Sequence, residues 1–315
     1  MAYSLGLISQ IEQWLEDGTV PTPRPGERVI ELGDQMLNDG TPPDAVIEFI
    51  KRFRPDFDGG DIATGLPVNS FGVTYAYEMW RRCGLDYLSY DVTEAPFSKV
   101  FDLNFHAVPD EDRQTAAIVT NIGTTEHVAN QLNAFRTIHD LLKVGGVAIH
   151  SVPFTGMLNH SFFNYHPKFF FSLVVNNRYR LRKVIFNPPS SLGPGNNVYD
   201  SDYLTPAANL TGSKRWADIP LYSGVVNLVV ERMFSDDFVP PVDFAGGYFG
   251  DIPVGDLSIL VGVDQLPHNA WADAYRRRTT PSQNPFPSGA KKEETPALGA
   301  RRNSFLARLR ARINM

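Results

Sequence analysis

The chain has 315 residues, 43% hydrophobic and 20% charged, which is the composition of an ordinary globular protein with a large core. Its net charge of −6 is unevenly spread: residues 271–315 hold ten Lys/Arg against three Asp/Glu, so that tail is +7 and the remainder −13. An acidic body excludes a general nucleic-acid surface, because phosphates need clustered cations, and the single cysteine, Cys83, excludes an intramolecular disulfide.

The first 24 residues read as an N-terminal helix, with apolar residues at helical intervals and no basic region of the kind that opens a secretory signal. Val29–Leu32 is an apolar run closed by Gly33, as in a parallel strand covered on both faces. The spacing predicts a helix over Phe71–Cys83 ending at Gly84, then strands over Tyr87–Tyr90, Val100–Leu103 and Ala116–Thr120. A helix follows from Glu126 to Lys143, with Val128, Leu132, Phe135, Ile138 and Leu142 as its stripe, Thr125 as cap and Gly145-Gly146 past its end. Beyond it lie a strand at Val147–Val152, a helix at Pro167–Asn176, and strands at Tyr179–Phe186 and Val225–Phe234. Asn187–Ser190 (NPPS) reads as a turn, and about 235–270 as irregular packing around the last strand.

This alternation predicts a doubly wound, Rossmann-like α/β domain over residues 25–270, a mostly parallel sheet with helices on both faces. Residues 38–70 are extra to its first β-α-β unit and are either a lid or a surface elaboration. Residues 271–300 are a Pro/Ser/Gly/charged linker. Residues 301–315 form a basic amphipathic helix, with Phe305, Leu306, Leu309 and Ile313 on one face. That helix suits an anionic membrane surface or a protein partner. The expected location is cytoplasmic, with the tail able to rest at the inner membrane face.

Ligands of such folds sit beyond the carboxyl ends of the strands, where strand order reverses. The turn there is Gly33-Asp34-Gln35-Met36, with one glycine where a dinucleotide site needs three, so a pyrophosphate is a poor fit. S-adenosylmethionine has no phosphate to accommodate. VIELGDQ, YLSYD, FDLN and the run AAIVTNIGTTEHVANQLNAFRTIHDLLKVGGVAIHSVP together resemble the class I S-adenosylmethionine-dependent methyltransferases over about residues 25–190, with Val225–Phe234 resembling their last strand. GTTEHV, IHDLLKVGG and NHSFFNYHP resemble more narrowly a group of bacterial methyltransferase-like proteins. The resemblance implies a seven-stranded sheet and S-adenosylmethionine as cofactor. It places Glu31 and Gly33, with Asp34, near the methionine end, Asp91 on the ribose hydroxyls, Asp102 near the adenine amino group, and Asn121 at the end of the fourth strand. After that strand Asn121-Ile122-Gly123 lacks the motif of amino-group methyltransferases, which favours an oxygen acceptor.

An alcohol must lose a proton before or during methyl transfer, and histidine is the simplest base near neutrality. Six of the seven histidines lie between His106 and His166. His150 and His160 are the first candidates for the base and His127 the next; His160 could instead orient a hydroxyl. No histidine set has metal spacing, so no metal is expected. These residues predict O-methylation of a small or glycan-type acceptor. The rival reading is a non-catalytic methyltransferase-fold scaffold, suggested by the missing glycines.

Overall fold

A computed structural model describes residues 2–157, 160–187 and 224–241, with the pairs 248–249 and 252–253. The NPPS turn past Asn187, most of 235–270, the 271–300 linker and the 301–315 helix lie outside the described residues.

The chain opens with β1 (Ala2–Tyr3) and α1 (Leu5–Glu16), whose cap Ser4 accepts a hydrogen bond from the Leu7 amide at 3.1 Å. Leu7, Ile8, Ile11, Trp14 and Leu15 form the buried stripe of α1, and they pack on β2 (Arg28–Leu32). β3 (Met36–Leu37) then pairs in parallel with β1. α2 (Pro43–Lys51) falls inside the segment read as a lid or surface elaboration, yet it buries Val46, Ile47, Phe49 and Ile50, and Phe49 meets Trp80 edge-on at 5.2 Å. That part of the insertion is core. α3 (Tyr77–Arg82) is shorter than the helix predicted over 71–83, because the residues before it pair elsewhere: the Leu37 amide donates to Thr74 O, and Tyr75 bridges Met36.

β4 (Asp86–Asp91), β5 (Ser98–Val100) and β6 (Ala116–Ile122) follow, and all seven residues of β6 are buried, as a parallel strand covered on both faces requires. α4 (Gln131–Leu141) starts later than expected: Thr125–His127 is one 3-10 turn, Val128 is extended, and Asn130 caps the helix through the Asn133 amide at 3.1 Å. β7 (Leu142–Thr155) runs through Gly145-Gly146, which form a bulge and do not end the helix. A Cβ on Gly146 would lie 2.6 Å from Ala116 O, so β6 and β7 approach there only over glycine. α5 (Pro167–Asn177), β8 (Arg180–Asn187) and β9 (Gly224–Glu231) complete the fold.

The seven strands lie in the order β5-β4-β2-β6-β7-β9-β8, parallel except for β9, which runs antiparallel to both neighbours. Strand order reverses between β2 and β6, and their carboxyl ends define the candidate site. Register assigns the two faces. Glu31, Thr120 and Ile149 are in line on the face covered by α1 and α2; Asn121 and His150 are in line on the other, under α4 and α5. Among the described residues no helix is long and apolar enough to cross a membrane.

Candidate active site

The first turn is tightly built. Gly33 has φ +74°, a left-handed conformation, and a Cβ there would stand 2.6 Å from Thr124 Oγ1 and 2.8 Å from Gln35 Nε2, so glycine is required twice over. Gln35 folds back into the gap between β2 and β6, its Nε2 donating to Thr124 Oγ1 at 2.8 Å and to Leu32 O at 3.2 Å. A buried carboxamide therefore fills the gap at the strand ends, because Thr124 and the last carbonyl of β2 offer the acceptors an amide needs.

Carboxylates surround the turn. Glu31 is fully buried and accepts hydrogen bonds from Tyr3 and Tyr87 hydroxyls at 2.7 Å each, from Thr120 at 3.2 Å and from the Gln35 amide at 3.3 Å. Burial pushes its carboxyl up to about 7 against the pull of those donors. Asp91, at the end of β4, accepts from the Asp34 amide at 2.8 Å through one oxygen and from the Thr93 amide and hydroxyl through the other. Asp34 is raised to about 6 by burial and then by Asp91. Asp102 lies one residue beyond Phe101, whose amide donates to Asp91 O, and its carboxylate is held by the Asn104 amide and side chain.

At the end of β6 the 3-10 turn presents Glu126 and His127 to the rim, and the loop after β7 brings His160 onto them. The Phe162 and Phe163 amides both donate to Glu126 O, tying that loop down. His127 and His160 stand edge to face with ring centres 4.9 Å apart, and His160 Nε2 is 3.9 Å from Glu126 Oε1. Burial raises the Glu126 carboxyl to about 7; burial and the neighbouring His160 lower His127.

Residues 72–181 match the family model of a methyltransferase domain. By that match this stretch is a methyltransferase domain, and the match covers about a third of the chain. Among solved structures it is similar to a geranyl diphosphate C-methyltransferase from Streptomyces coelicolor A3(2) (14% identity, covering 72% of this chain and 80% of that one, TM-score 0.36). It is also similar to a SAM-dependent methyltransferase from Archaeoglobus fulgidus (10%, 71% and 94%, 0.37) and to phosphoethanolamine N-methyltransferase 2 from Haemonchus contortus (9%, 71% and 52%, 0.37). No curated protein matches the sequence.

The charges around the Gly33 turn suit a cationic ligand such as S-adenosylmethionine at the rim, outside the gap that Gln35 fills. S-adenosylmethionine brings a sulfonium and an ammonium, and the turn sets Glu31, Asp34 and Asp91 around Gly33, a field that attracts cations and repels a diphosphate. Gln35 Oε1 is buried and accepts no hydrogen bond among the described residues, which leaves an acceptor for an ammonium donor. Asp91 stays partly exposed at the strand end, where ribose hydroxyls can reach it.

Two expectations are corrected. His150 is in the core, 1% exposed, stacked on Phe135 and beside Phe170; its Nδ1 meets Asn121 at 3.1 Å and burial lowers it to about 3. A neutral imidazole shut inside the far face cannot take a proton from a ligand on the rim. Asn121, also fully buried, spends both ends of its amide on the Thr125 amide, the Thr125 hydroxyl and His150, so it shapes the 3-10 turn from inside the core. The sequence gives no sign of which way Gln35 folds, and Tyr3 reaches Glu31 only through the pairing of β1 with β3; Glu126, expected in the first turn of a helix, stands in the 3-10 turn before it.

Proposed function

We propose that the chain methylates a hydroxyl oxygen of a small or glycan-type acceptor, with His160 beside the reacting oxygen. The observation that supports this most is a cavity of about 670 Å³ at the carboxyl ends of β6 and β7, lined by Ser4, Leu7, Met36, Ile122, Ser151 and Asn227. Its volume suits a sugar-sized molecule, and its polar groups are hydroxyl and amide. Asn227 Oδ1 is buried without a hydrogen-bond partner among the described residues, an acceptor that suits a hydroxyl donor. S-adenosylmethionine supplies, when bound, an electrophilic methyl group. The chain's own residues do the rest: Asp91 and the Gly33 turn hold the nucleoside end, the cavity orients the acceptor, and His160, exposed and next to Glu126, takes the hydroxyl proton at Nε2.

Calorimetry of the full chain with S-adenosylhomocysteine, followed by mass analysis of products from a panel of hydroxylated acceptors, tests the reading. Asp91→Asn should weaken ligand binding by about tenfold or more, and His160→Ala should lower kcat by roughly 10²-fold or more while leaving ligand binding intact. No heat at about 1 mM ligand, or methyl groups found on nitrogen or carbon, would overturn it.

A further inference from the structure

The geometry points to a divalent transition-metal site formed by Glu126, His127 and His160. One ligand atom from each of the three lies within 4.8 Å of the others. Three ligands at about 2.0–2.2 Å from one ion and on one side of it stand about 2.9–3.6 Å apart, so a contraction of about an ångström, by rotation of the exposed His127 and His160 side chains, closes the set. Two imidazoles and one carboxylate on one side of an ion form the arrangement that leaves further coordination positions open, and it suits zinc, iron(II), cobalt(II) or manganese(II) better than calcium.

A second observation, independent of the spacing, points to a ligand. Glu126 is 0% exposed, and both of its carboxylate oxygens lack a hydrogen-bond partner among the described residues. A buried carboxyl group with neither oxygen hydrogen-bonded costs several kcal/mol as an ion unless a cation meets it. The other buried carboxylates at the carboxyl rim do not share this feature: Glu31 is held by four donors. His127 and His160 are exposed, so an ion held there would face the solvent side of the rim. The loop carrying His160 is fixed on the turn carrying Glu126 by the two amides donating to Glu126 O, so the pairing does not depend on side chains alone.

The role of such an ion rests on the proposed hydroxyl acceptor. With an ion bound, an open coordination position would take the acceptor oxygen and lower its pKa, the O–H proton passing to water and His160 serving as a ligand in place of its role as base in the metal-free chain. The site itself stands or falls by metal binding, whatever the acceptor.

The test uses the full chain after chelator treatment, titrated with Co²⁺ by visible absorption and with Zn²⁺ by calorimetry. The expected result is about one ion per chain with a cobalt d–d band, and affinity lowered by at least about tenfold in Glu126→Gln and in His160→Ala, since even outer partners of a ligand are worth that much. Should Glu126→Gln fail to fold, exposed His160→Ala gives the same reading on its own. Absence of binding at about 1 mM Co²⁺, or equal affinity in the wild type and His160→Ala, overturns the site. Calorimetry with S-adenosylhomocysteine on the same chelated sample separates the two ideas. Cofactor binding without cobalt binding sinks the metal site alone; cobalt binding without cofactor binding supports the site and sinks the methyl-transfer reading.

Discussion

At the scale of single residues, Gly33 decides most. Its left-handed backbone and the two side-chain atoms that a methyl group would strike are separate costs, one conformational and one from breaking the Gln35–Thr124 contact. Gly33→Ala should therefore lose about 2–4 kcal/mol by urea denaturation, well above the cost of removing an ordinary loop glycine. Gly33 and Asp91 were legible in the sequence because strand ends and a glycine turn are local patterns. His150 was misplaced for a reason the same sequence contained: alternation along a strand puts His150 opposite Ile149, and one parity choice sends it to the rim or into the core. Only the register with Asn121 settles that choice.

At the scale of elements, the late start of α4 matters more than its length. Had the helix begun at Glu126, the side chains of Glu126 and His127 would project from a helix surface about 100° apart and could not converge. The break at Val128 and the cap at Asn130 release them. Asn130 also bonds the backbone and side chain of Asn104 next to the Asp102 loop. Asn130→Ala should cost about 1–2 kcal/mol in thermal or chemical unfolding, the usual loss of a cap plus one tie to that loop. The sequence pattern could not locate this break, because Val128 and Leu132 keep helical spacing across it and periodicity does not register an extended residue. The core helix α2 was hidden for another reason: its apolar residues sit in a segment whose length alone suggested an appendage.

For the molecule as a whole, buried carboxyls set the response to pH. Glu31 and Glu126 rise from the ordinary 4.5 to about 7 and Asp34 from 3.8 to about 6, chiefly by burial. A carboxyl that holds its proton more tightly when folded stabilises the native state below its unfolded pKa, and that stability is lost as pH rises through the folded value. Asp112 and Glu27, whose folded values are depressed by Lys99 and Tyr90 and by Lys143, act in the opposite sense and lose their contribution as pH falls through those values. His139 and His150, which burial lowers to about 3, act against the raised carboxyls below the ordinary histidine value of 6.5, so the net decline in stability should fall between about pH 6 and pH 7. Urea midpoints measured across that range should show a flatter decline for Glu31→Gln, which removes one of the raised carboxyls while keeping the Tyr3 and Tyr87 hydroxyls close.

The position of β2 in the sheet also governs the order of assembly. Its two neighbours are β4 and β6, both later in the chain, and β6 arrives only after α2, α3, β4 and β5 have been made. A nascent chain therefore carries its central strand with an edge unpaired through more than a quarter of its synthesis, and closing that edge is a long-range event that local helix formation cannot hasten. Slow, chaperone-sensitive refolding of an otherwise small domain is built into this arrangement.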